Sequence, residues 1–140
     1  MRFATMFLFP AVLVPGIAGC APAGAPVPAA DNIAKVQLSV RQIPAGSGLK
    51  APCEVTLTER ADIAEVIDWL QKIDWSQSGT DLAVVSIVLP DGGIVVTGKD
   101  GTTYDFGFYW DGNFILTKAN RLIRGGDMAK LRQIIQKACK

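Results

Sequence analysis

The chain has 140 residues, with 14 Lys and Arg against 13 Asp and Glu, and it contains no histidine. Because the charges are almost balanced, a surface that binds nucleic acid or an anionic membrane by electrostatic attraction is not expected. The missing histidine excludes a Ser-His-Asp triad, a Cys-His pair and any zinc site that uses histidine ligands.

The N-terminus has the pattern of an export signal. Arg2 is followed by the apolar run Phe3–Val14, which is too short to span a bilayer as a mature helix. The four residues Ile17-Ala18-Gly19-Cys20 then resemble the lipobox of bacterial lipoprotein precursors. The resemblance covers residues 1–20 and says nothing about the domain that follows.

The resemblance implies that residues 1–19 are a signal peptide and that Cys20 is the lipidation site. Cys20 would carry a diacylglyceryl group and commonly a third acyl chain such as palmitate, and stable anchoring indeed needs more than one chain. Ala21 follows the cysteine, which implies the periplasmic face of the outer membrane in a Gram-negative cell. The alternative is ordinary secretion, with cleavage after Ala23 and loss of Cys20.

Residues 20–31 are predicted to be a lipidated cysteine and a tether rich in alanine and proline. Such a segment favours extended polyproline II and buries no core, at about 3.1 Å per residue. Residues 32–140 are predicted to be a single domain.

Two cysteines remain, Cys53 and Cys139. Export implies an oxidising compartment, so the sequence predicts a disulfide between them, with two independent buried thiols as the alternative.

The domain begins with alternating apolar and polar residues, which predict a hairpin of Asn32–Ile43 and Cys53–Thr58 around a loop at Pro44–Pro52. A helix from Thr58 or Glu59 to about Ile73 follows, with its apolar residues at helical spacing. Near the C-terminus, Asp127 is the predicted N-cap of a second helix.

Between the helices, four apolar runs are joined by three Asp-Gly turns, which is typical of an antiparallel meander. The predicted strands are Leu82–Leu89, Ile94–Thr97, Thr103–Trp110 and Asn113–Thr117, with Pro90–Gly93 as the first turn. Leu82–Leu89 is apolar on both faces and is therefore predicted to be central or shielded. The residues Lys118–Arg124 are expected to include a short extended piece.

The strand Thr103–Trp110 has one aromatic face, formed by Tyr104, Phe106, Phe108 and Trp110. We expect this face to pack under the helices, with Leu131 and Ile135 among its neighbours. Asp105, Gly107 and Tyr109 would then lie on the open face, with a shallow dip at Gly107, and they form the candidate partner surface. The predicted fold class is α+β: an antiparallel sheet, made of an N-terminal hairpin and a four-strand meander, packed with two helices.

Other chemistry is weakly indicated. Asp91, Asp100 and Asp111 head separate turns and lack the alternating acids of a calcium loop. Asp105 and Asp111 could be drawn as a carboxylate pair, although a solvated face explains them as well. We expect no catalytic residue, metal or cofactor.

The favoured function is a non-catalytic, lipid-anchored module of the cell envelope, with the membrane as one partner and a protein or envelope component as the other. The alternatives are a histidine-free carboxylate enzyme that acts on peptidoglycan or glycans, and a purely structural envelope lipoprotein. A cleft with two carboxylates, one of raised pKa, would favour the enzyme.

Overall fold

The computed structural model describes residues 26–50, 52–77, 80–81, 89–111 and 114–140. The predicted signal peptide, the lipobox with Cys20, and nearly all of the predicted strand Leu82–Leu89 lie outside these residues. The described part is an α+β domain, as predicted, with an antiparallel sheet and two helices. The elements in chain order are a 3-10 turn (Ala30–Asn32), β1 (Ile33–Val40), β2 (Cys53–Leu57), α1 (Arg60–Gln71), β3 (Thr80–Asp81), β4 (Gly92–Gly98), β5 (Thr103–Tyr109), β6 (Phe114–Thr117), β7 (Arg121–Arg124) and α2 (Met128–Ala138).

The strands lie in the order β2-β1-β4-β5-β6-β7-β3, and all pairs are antiparallel. The predicted N-terminal hairpin is present, since Val40 pairs with Cys53 and Val36 with Leu57. On its other side, β1 pairs with β4 along its whole length. The first strand of the domain is therefore an interior strand of the sheet.

The meander begins one strand later than predicted. In the described part of the chain the meander consists of β4 to β7, so the predicted extended piece at Arg121–Arg124 is its last strand. The predicted hairpin turn at Pro90–Gly93 is wrong, because Gly92 and Gly93 lie inside β4 and β4 already has β1 and β5 as neighbours. Of the predicted first strand, Leu89 is described; it lies outside any strand and is 66% exposed.

The second Asp-Gly turn is confirmed. Gly101 has a φ of +85°, which glycine adopts without strain. The amide of Gly98 donates to the carbonyl of Thr102 over 2.8 Å, and the Asp100 carboxylate accepts from the amide of Thr102 over 2.9 Å. The third turn joins β5 to β6: Tyr109 at the end of β5 pairs with Phe114 at the start of β6. Gly112 of this turn lies outside the described residues.

The aromatic face of β5 points inward, as predicted. Phe106, Phe108 and Trp110 are buried and Tyr104 is partly buried, in one apolar cluster with Leu131, Ile135 and the buried side of α1. The rings of Phe108 and Trp110 meet edge to face, with centroids 4.9 Å apart, in a favourable geometry for an aromatic pair. Both helices therefore cover the same face of the sheet.

The two helices match their predicted caps and ends within two residues. Asp127 caps α2, since its side chain accepts from the amide of Lys130 over 3.0 Å. Trp69 on α1 is buried and its indole N–H donates to the carbonyl of Asp127 over 2.7 Å, which fixes α1 against the start of α2. No helix in the described ranges is long and apolar enough to cross a bilayer.

Cys53 and Cys139 form the predicted disulfide, with their Cα atoms 6.1 Å apart. It joins the first residue of β2, which is an edge strand of the sheet, to the residue that follows α2. The two cysteines are 86 residues apart in sequence. Closing so long a loop restricts the unfolded chain and stabilises the fold by about 4–5 kcal/mol in the chain-entropy model.

The packed domain begins earlier than residue 32. Val27, which the sequence assigns to the tether, is 8% exposed and belongs to the apolar core. The 3-10 turn is held as well, because the carbonyl of Asn32 accepts from the amide of Lys99 over 2.8 Å and Asp31 pairs with Arg60. Residues 26–31, which the sequence analysis assigned to the predicted tether, are thus part of the domain.

Candidate functional site

The candidate site is the outer face of the sheet, opposite the helices. Asp105, Gly107 and Tyr109 lie on this face of β5, because they alternate with its inward aromatic residues. Asp105 is exposed, and Gly107 and Tyr109 are partly buried. The three predicted residues therefore share the face that the sequence assigned to them, and no described helix covers it.

Two glycines from adjacent strands lower the floor of this face. Gly93 of β4 is directly opposite Gly107 of β5, which in turn is opposite Leu116 of β6. Without side chains at two paired positions, the sheet surface forms a depression of about 230 Å³. Its lining residues are Arg41, Pro90, Gly92, Gly93, Asp105, Phe106, Gly107, Leu116, Thr117 and Lys118.

The dip predicted at Gly107 is occupied by another residue of the same chain, Pro90. A Cβ atom placed on Gly107 would lie 2.7 Å from Cγ of Pro90. The proline ring therefore lies over the glycine and is itself part of the lining of the depression. No local sequence pattern indicates this contact, because Pro90 and Gly107 are neighbours only in the folded chain.

The rim of the depression carries charges of both signs. Arg41 follows Val40, which pairs with Gly92, and Lys118 follows Thr117, which pairs with Phe106. The register thus places the two cations at opposite ends, while Asp105 lies on the exposed surface of β5 itself. Such a surface offers a partner ion pairs at its rim and apolar contact on its floor.

Asp91 links three strands at one end of the depression. Its carbonyl accepts from the amides of Arg41 (2.8 Å) and Gln42 (3.1 Å), and its carboxylate accepts from the amide of Trp110 (2.8 Å). Partial burial and the negative charge of Asp91 raise the pKa of Tyr109, so its phenol stays protonated at neutral pH and is able to donate a hydrogen bond.

The other acids singled out in the sequence are engaged in turns or lie exposed. The hydrogen bond from the amide of Thr102 lowers the pKa of Asp100, while Asp105 and Asp111 are exposed. In the described part of the chain, no group of three His, Cys, Asp or Glu residues lies close enough to hold a metal ion.

One carboxylate pair that the sequence analysis missed lies beside a cavity of about 190 Å³ between the helices. The ammonium of Lys137 on α2 lies 2.7 Å from Asp62 and 3.3 Å from Glu65, both on α1. These hydrogen bonds raise the pKa of Lys137. The cluster therefore links α1 to α2 through ion pairs.

Comparison of the chain with protein-family models, with curated proteins and with solved structures finds no match.

Proposed function

We propose that this protein is a lipoprotein of the bacterial cell envelope, anchored through lipid on Cys20, whose outer sheet face binds a protein or another envelope component without catalysing a reaction. The observation that carries the anchor is the disulfide. Of the three cysteines in the sequence, Cys53 and Cys139 are bonded to each other, which leaves Cys20 as the odd one. That cysteine stands at the end of an apolar export signal, directly after Ile17-Ala18-Gly19.

The proposed location is supported by the same residues. A disulfide of this kind is typical of exported proteins, because the cytosol keeps thiols reduced. With Ala21 after the cysteine, the lipobox resemblance favours the outer membrane of a Gram-negative cell, on its periplasmic side. The folded domain would then be presented in the periplasm.

The binding role is supported by the arrangement of the sheet. Its inner face is covered by both helices, whereas the outer face presents a glycine-floored depression with Arg41, Lys118 and Asp105 around it. A catalytic role has less support, because the two carboxylates that share a cavity both pair with Lys137 and thereby link the helices. The outer face is therefore the surface to test.

The anchor is tested by the intact mass of the protein extracted from its own membranes. The expected species begins at Cys20 and carries acyl chains, and a Cys20→Ala control should carry none. A soluble, unmodified protein that begins at Gly24 would contradict the anchor and support ordinary secretion.

The binding face is tested by crosslinking in intact cells, followed by purification of the lipidated protein. We expect Asp105→Lys to abolish the main crosslinked product, because it reverses the charge beside the depression. Asp68→Lys is the matched control: it makes the same change of charge on the exposed side of α1 and removes one exposed ion pair with Lys72. If both variants lose the crosslinked product to the same extent, or if both retain it, this face is excluded as the binding surface.

A further inference from the structure

The point at which the chain enters the domain lies at one end of the sheet. Val27 is buried, and Pro26 lines a small cavity together with Tyr104, Lys118 and Ala119. A few residues later, the hydrogen bond from the amide of Lys99 to the carbonyl of Asn32 holds the 3-10 turn against the β4–β5 turn. The entry segment is therefore fixed to this end.

Antiparallel pairing brings several turns to the same end. β1 begins here at Ile33, which pairs with Gly98 at the end of β4. Two turns lie at this same end: Lys99–Thr102, between β4 and β5, and Lys118–Asn120, between β6 and β7. The long β1–β2 loop, which contains Lys50, lies at the opposite end, because it connects Val40 to Cys53.

The length of chain before the domain limits how far this end can lie from the membrane. From Cys20 to Val27 the chain advances seven residues (27 − 20). A fully extended chain spans at most 3.3–3.6 Å per residue, so these residues reach about 25 Å at most. This reach is about equal to the length of β4, which has seven residues. The distance between the anchoring lipid and this end of the domain therefore cannot exceed about the length of one strand of the sheet.

Two exposed lysines stand at this end. Lys99 and Lys118 are exposed, and neither forms an ion pair among the described residues. Two acids at this end are engaged, since Asp31 pairs with Arg60 and the Asp100 carboxylate accepts from its own turn. Asp105 is exposed and lines the same depression as Lys118, so one acid stands beside this lysine. Lysines close to a bilayer surface are attracted to anionic headgroups.

We propose that this end of the domain rests on the lipid headgroups, with Lys99 and Lys118 against the phosphates of anionic lipids. The inference depends on the lipid anchor proposed above. The balanced charge of the whole chain does not oppose it, because the anchor supplies attachment and raises the local concentration of headgroups. The two lysines then set which end of the domain faces the bilayer.

The test is the rate at which each lysine of the full, lipidated protein is acetylated, measured by mass spectrometry in vesicles and in detergent. In vesicles that contain phosphatidylglycerol, Lys99 and Lys118 should react at least about threefold more slowly than in detergent. Lys50, exposed at the opposite end, is the control within the same molecule and should react at an unchanged rate. In phosphatidylcholine vesicles the protection should be weaker.

Equal rates in vesicles and detergent, protection of Lys50 instead, or equal protection by both lipids would overturn the proposal. A Lys99→Gln variant gives a second measurement. The protection of Lys118 should fall in this variant, because the second lysine that contacts the membrane is gone. Lys50→Gln is the control and should leave the protection of Lys118 unchanged. Failure of the anchor itself is recognised separately, because the protein would then lack acyl chains and stay in the supernatant when the vesicles are sedimented.

Discussion

Replacing Phe106 with alanine is expected to lower the free energy of unfolding by about 3–5 kcal/mol, the usual cost of removing a buried phenylalanine. Phe106 is 6% exposed, and its ring centroid lies 5.6 Å from that of Trp75. The substitution would leave a cavity between the sheet and the end of α1, where the Trp75 indole N–H is already held by the carbonyl of Leu70.

Tyr109→Ala is the matched control, because it truncates an aromatic residue on the other face of the same strand. Its side chain is partly exposed, so a much smaller loss of stability is expected, together with a larger loss of partner binding. Urea unfolding followed by tryptophan fluorescence measures both variants. Unfolding free energies in the reverse order would show that the two faces of β5 are assigned the wrong way round.

Gly92→Ala should lower the free energy of unfolding by about 3 kcal/mol, at the upper end of the range for overpacking. A Cβ atom there would lie 2.1 Å from Cζ of Phe108 and 2.5 Å from the carbonyl oxygen of Ser39. The Ser39 carbonyl belongs to β1, which is paired on both sides, so neither neighbour is free to move away.

The adjacent Gly93→Ala provides the control for backbone effects. Its Cβ atom would point to the outer face, 3.1 Å from the Ser39 hydroxyl and 3.6 Å from the Phe106 carbonyl, so a small shift of one side chain accommodates it. Both variants add one methyl group to the same strand. Denaturant unfolding with the disulfide intact should separate them clearly, and equal losses of stability would contradict the close packing at Gly92.

The parts of the fold that were predictable depend on short sequence intervals. The alternation in β5 identified its buried face, because side chains in a strand point to opposite sides at every step. The helical spacing of apolar residues located α1, and Asp127 marked the start of α2. The disulfide was predictable because the predicted export signal implies an oxidising compartment and three cysteines leave one pair once Cys20 is assigned to the lipid.

The parts that failed depend on contacts between distant residues. Asp91-Gly92-Gly93 has the composition of a turn, yet Gly92 is required by the ring of Phe108 and the backbone of β1. Nothing local to residues 33–40 indicates that β1 pairs with β4 as well as with β2. Likewise, Val27 is one apolar residue among alanines and prolines, and its burial depends on a core formed much later in the chain.

The face on which the candidate residues lie was predictable. The alternation placed Asp105, Gly107 and Tyr109 together, but Pro90 over Gly107 and the cations at the rim depend on strand register. The carboxylate pair of Asp62 and Glu65 did have a signal, since α1 is acidic where it could meet the lysines of α2. Recognising their link to Lys137 would have required the packing of the two helices.

The interior position of β1 has a consequence for how the protein bears mechanical load. With the lipid on Cys20 as proposed, any pull between the membrane and a bound partner acts first on the packed residues 26–32 and then on β1. Hydrogen bonds in an antiparallel sheet run perpendicular to the strands, so a force along β1 shears both of its ladders together instead of opening them one bond at a time. The strand nearest the anchor is thus held in the arrangement that best resists extraction.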